Sequence, residues 1–109
     1  MRSLILTLLL PVTMLISSAS LAETKLDSSI LSYDGKDFVR TDTTLMQENG
    51  QSAVGTKLDH DSPAYKALVE KHSYTGPATV FGKNYQGDYA PLIGADGKVT
   101  GALFVGVAK

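Results

Sequence analysis

The chain has 109 residues, with ten Lys and Arg against eleven Asp and Glu, two His, no Cys and a formal charge of −1. With no basic run anywhere, a nucleic-acid partner is not expected. The absence of cysteine excludes disulfides, a thiol nucleophile and a cysteine-ligated metal, so stability must come from packing.

The first element is an export signal. Arg2 supplies a positive start, Leu4 to Ile16 an apolar stretch, and Ser20-Leu21-Ala22 the small residues of a cleavage site. The stretch falls short of the roughly 20 apolar residues that cross a bilayer. The expectation is therefore a signal peptide over residues 1–22, cleaved after Ala22, and a periplasmic chain of one domain over residues 23–109. A single modest core suits that length, and a cleft between two domains does not.

Within the domain, Leu26, Ile30 and Leu31 are spaced to line one face of a short helix over Glu23 to Ser32. Asp34-Gly35-Lys36 is a turn, and Phe38-Val39-Arg40-Thr41 alternates as a strand with Phe38 and Arg40 on one face. Asn49-Gly50 reads as a hairpin connection. Asp61-Ser62-Pro63 starts a helix, since Asp61 or Ser62 can cap free N–H groups and proline suits the first helical position. That helix is expected to reach about His72, with Ala64, Leu68, Tyr65 and Val69 toward the core. Gly76-Pro77 opens a three-strand meander that turns last at Asp96-Gly97, pairing Tyr89–Ile93 with Val99–Val107. The order is α+β, an antiparallel sheet of about five strands with helices packed on it.

A series of short segments recurs here in a telling order: Phe38-Val39-Arg40-Thr41, Ala53-Val54-Gly55-Thr56-Lys57-Leu58, Pro63-Ala64-Tyr65, Tyr74-Thr75-Gly76, Phe81-Gly82-Lys83-Asn84-Tyr85, Tyr89-Ala90-Pro91-Leu92 and Leu103-Phe104-Val105-Gly106-Val107. Together they resemble the single Cache sensor domain of bacterial methyl-accepting chemotaxis receptors, of the Cache 3/Cache 2 fusion-like type, over roughly Leu31 to Lys109. The resemblance implies a PAS-like fold and a cavity for a small carboxylate or similar metabolite, bordered by the segment around Lys83 to Tyr89. It departs from such receptors in that the sequence ends at Lys109, directly after the last predicted strand. The expectation is thus a free-standing module, monomeric or weakly dimeric, that reaches signalling through a membrane-bound chemoreceptor or sensor kinase.

Arg40 is the first candidate binding residue, because a guanidinium on the face of Phe38 suits a polar pocket and its fork matches a carboxylate. Lys83 and Tyr85, two apart on one extended segment with Thr79 and Phe81, would share a face and hold an anion by one charge and one hydroxyl. Tyr89, Tyr65 and Tyr74 could add ring surface or a hydroxyl. Asp59-His60-Asp61 resembles a metal cluster, but adjacent residues point apart and Asp61 has a capping role, so no metal and no cofactor is expected. No nucleophile elbow, phosphate loop or zinc motif is present, so the chain is not expected to be an enzyme. The leading expectation is a binding module for a short-chain carboxylate of the pyruvate, acetate or propionate class. The alternative is a ligand-free interaction module that partners a membrane receptor.

Overall fold

The computed structural model describes residues 25–109, so the expected signal segment and its cleavage site lie outside the described residues. Five strands and one short helix follow in chain order: β1 (Leu26–Tyr33), β2 (Phe38–Thr43), α1 (Pro63–Val69), β3 (Tyr74–Val80), β4 (Lys83–Ile93) and β5 (Val99–Ala108). The strands form one antiparallel sheet in the order β2-β1-β5-β4-β3. This is the expected sheet, but helices are sparse on it. No helix among the described residues is long and apolar enough to cross a membrane.

The segment expected as a helix before Ser32 is instead β1. Its residues alternate across the sheet, Ser29 and Leu31 inward and Ser28, Ile30 and Ser32 outward, paired through Ser29↔Phe104 and Leu31↔Ala102. Apolar side chains on both faces disguised the period of two. The segment from Ala53 to Asp59, beyond the expected hairpin connection, is irregular chain. It lies along the free edge of β2 through Arg40 N–H to Thr56 C=O (2.9 Å), Gly55 N–H to Arg40 C=O (2.7 Å) and Leu58 N–H to Phe38 C=O (2.9 Å). Covering an edge in this way satisfies its backbone groups and blocks further pairing. The Asn49-Gly50 turn is present, but it closes a single bridge, Met46↔Ser52, rather than a hairpin of two strands.

In α1, Ser62 accepts the Tyr65 N–H at 3.1 Å as N-cap and Pro63 occupies the first position. The helix stops short of His72. His72 N–H bonds back to Ala67 C=O and Lys71 N–H to Leu68 C=O, a Schellman closure in which Lys71 takes the left-handed conformation (φ 68°). Ala64 and Leu68 are buried, whereas Val69 is exposed, contrary to the expected stripe.

The core lies on one face of the sheet, where Leu31, Phe38, Tyr85, Tyr89, Ala102 and Phe104 meet Leu45, Ala53, Leu58, Ala64 and Leu68 from the irregular segment and α1. Gly76, Gly87 and Gly106 form a row across β3, β4 and β5 on that face. The Phe104 ring fills the space over Gly106 and Gly87, and the Tyr74 ring the space over Gly76. The opposite face presents Leu26, Ile30, Leu103, Val105 and Val107, each more than 40 % exposed.

Candidate functional site

A half-open groove of about 490 Å³ runs between the β3 end of the sheet and the segment from Lys57 to Ala64. Its walls carry Leu58, Pro77, Val80 and Phe81. Arg40, Tyr74 and Tyr89 also line it, and Lys57, Asp59 and Asp61 contribute to its polar side.

Arg40 is the centre of this site. The β2 alternation turns it inward beside Phe38, and it is only 4 % exposed. Its Nη1–H groups donate to Thr56 Oγ1 at 3.0 Å and to the Lys57 carbonyl at 3.2 Å. Thr56 in turn donates its hydroxyl to the Ala53 carbonyl, so the anchor itself is fixed. The guanidinium carbon lies 5.2 Å from the centre of the Phe81 ring, a cation–π distance. No acidic side chain among the described residues forms an ion pair with it. Burial lowers its pKa from the ordinary arginine value, opposed by Tyr89, but a guanidinium remains charged at any ordinary pH. The result is a permanent cation at a groove wall, held by neutral partners only.

Phe81 reaches this position through a tight turn. β3 and β4 are joined by Phe81-Gly82 alone, both at positive φ (50° and 77°), with Val80 paired to Lys83. Such a turn matches the twist of the two strands, but it places an aromatic residue in a conformation that L side chains rarely adopt. The reversal breaks the expected shared face of Thr79, Phe81, Lys83 and Tyr85 at Thr79. Tyr85 pairs with Ala78 on the buried face, Thr79 pairs with Asn84 on the other, and Lys83 is exposed.

Of the six candidate residues, the fold therefore gathers three, Arg40, Tyr74 and Tyr89, and disperses three. Tyr74 donates its hydroxyl to the Pro77 carbonyl at 2.7 Å, so its ring is what it offers the groove. Tyr89 is buried beside Arg40, and burial raises its pKa while the guanidinium works against the rise. Tyr85 instead donates to Asp27 Oδ2 at 2.9 Å, and burial, with this contact to Asp27 second, pushes its pKa up to about 12. Tyr65 donates to the Lys36 carbonyl at 2.7 Å and stacks on His60. Lys83 does not line the groove.

His60 belongs to a strap. It meets Asp37 Oδ1 at 2.6 Å, and Lys57 reaches Asp37 Oδ2 at 3.4 Å, so the groove-lining segment is tied to the β1–β2 turn. The His60 contact is the main reason that the Asp37 carboxyl titrates below its ordinary value. Phe81 and Thr56 went unrecognised as site residues. A Phe-Gly pair is a weak turn signal beside Asn-Gly or Asp-Gly, and the Arg40–Thr56 contact spans sixteen residues with no periodicity to mark it.

Residues 24–109 match the family model of the Cache 3/Cache 2 fusion domain. No curated protein and no solved structure matches the chain.

Proposed function

Because the chain belongs to the Cache 3/Cache 2 fusion domain family, whose members are extracellular sensor modules, we propose that it is an exported, non-enzymatic binding module that recognises a small organic carboxylate in the groove beside Arg40. The observation that carries this reading is the buried guanidinium with no acidic partner among the described residues. A buried charge that lacks a counter-ion is costly, and a carboxylate supplying charge-assisted hydrogen bonds would offset that cost. Arg40 provides the charge, Tyr89 lies beside it, and the Phe81 ring lies against the guanidinium. Lys83 takes no part. The signal peptide would direct export and be cleaved after Ala22, and signalling would pass to a membrane-bound chemoreceptor or sensor kinase.

The test is a thermal-shift and titration screen of the protein against small carboxylates, amino acids and sugars. A ligand at about 100 times its Kd adds about 2.7 kcal/mol, which for a domain of this size raises the melting point by roughly 10 °C or more. Arg40→Gln, shown to be folded by circular dichroism, is expected to lose at least about tenfold in carboxylate affinity, whereas Lys83→Ala should remain within about twofold of the parent. If folded Arg40→Gln binds as well as the parent, Arg40 is only a structural link to Thr56 and Lys57. A second reading, an interaction module for a membrane receptor, is favoured by one observation, the exposed apolar face of Leu26, Ile30, Leu103, Val105 and Val107. A silent ligand panel would move the assignment there.

A further inference from the structure

Resting on the carboxylate reading, we infer that the groove prefers a monocarboxylate that carries a ring, of about the size of benzoate or phenylacetate, over acetate or propionate. At about 490 Å³ the groove falls within the range that holds ligands of drug size. A two- or three-carbon acid would cover Arg40 and leave the rest of the groove wet.

Away from Arg40 the groove has an apolar and aromatic wall, opposite a polar side that carries Lys57, Asp59 and Asp61. Leu58, Pro77 and Val80 line the groove without a polar side-chain atom. Tyr74 has its hydroxyl committed to Pro77, so it presents ring surface, and its ring centre lies 6.4 Å from that of Tyr89. A ligand ring would displace water from these walls and meet aromatic faces at the offset or edge-on separations such rings favour.

The same surroundings select for a single negative charge. Lys57, a second cation of the lining, is engaged with Asp37, and Asp59 and Asp61 add negative charge to the groove. A second carboxylate would meet Asp59 and Asp61 and find, among the described residues that line the groove, no cation besides Arg40 and the engaged Lys57.

Isothermal titration of the protein with benzoate, phenylacetate, propionate, succinate and benzamide tests the inference. At least one ring acid is expected to bind about tenfold or more tighter than propionate, succinate to bind no better than propionate, and benzamide, a ring without the charge, to bind at least about tenfold weaker than benzoate. Tyr74→Leu, shown to be folded by circular dichroism, should narrow the preference for the ring acid over propionate several-fold. Propionate or succinate equalling or exceeding both ring acids would overturn the inference and leave the carboxylate site standing. Benzamide matching benzoate, or no carboxylate binding at all, would overturn the carboxylate reading itself.

Discussion

Individual side chains in this protein answer to burial before they answer to sequence context. Tyr85 shows how: its hydroxyl is held against Asp27 beneath β1, and its folded pKa of about 12 stands above the ordinary value of 10. A raised folded pKa contributes stability that is complete below pH 10 and is lost as pH rises toward 12, because the unfolded chain ionises its tyrosine first. Tyr89 and Tyr65 shift in the same direction. The melting point is expected to fall steeply between pH 10 and 12, and Tyr85→Phe to flatten part of that fall at a cost of about 1 kcal/mol near neutrality, measured by thermal melts across pH. An unchanged alkaline slope in the variant would count against Tyr85 as the responsible group. Arg40 was legible in the sequence because β2 alternates cleanly and Phe38 marks its inward face. The fate of Lys83 was not legible, since Phe81-Gly82 reverses the chain and an extended reading carried straight through it.

The elements are decided by their ends. α1 was expected to run on to His72 because no glycine or asparagine announced its stop, yet Lys71 adopts the left-handed conformation that closes it. Glycine at that position relieves the strain of a side chain at positive φ, so Lys71→Gly is expected to stabilise the protein by roughly 0.5–1 kcal/mol in denaturant melts. A loss of stability would mean that the lysine side chain contributes something its exposure does not suggest. The helix start, by contrast, could be read directly, because Ser62 and Pro63 act through local chemistry. β1 could not, since one of its partners, β5, lies far along the chain and tertiary pairing overrode the apparent helical spacing. Across β3, β4 and β5 the glycine row has a purpose that composition conceals. A Cβ at Gly106 would lie 2.5 Å from the Phe104 ring, so Gly106→Ala is expected to displace that ring and cost about 1–3 kcal/mol, read as a lower denaturation midpoint. An unperturbed midpoint would show that Phe104 has room to move.

At the scale of the molecule, one sheet face carries the core and the groove, and the central strand β5 is paired on both sides by β1 and β4. Hydrogen exchange should follow that arrangement, slowest in β5 and fastest at Gln47–Gln51, where a single isolated bridge closes the turn. Faster exchange in β5 than in β3 would be incompatible with the strand order. Ligand occupying the groove would be expected to slow exchange in the segment from Lys57 to Ala64, which forms one wall.

The pairing of β1 with β5 places Leu26 opposite Val107, so the start of the first strand and the finish of the last lie side by side. A tether pulling these two points apart loads the ladder one rung at a time, as a zipper opens, and never all rungs together in shear. The protein is mechanically soft along that line, and tension that parted β1 from β5 would also draw the Arg40 wall, carried with β2, away from the Tyr74 and Tyr89 wall on β3 and β4.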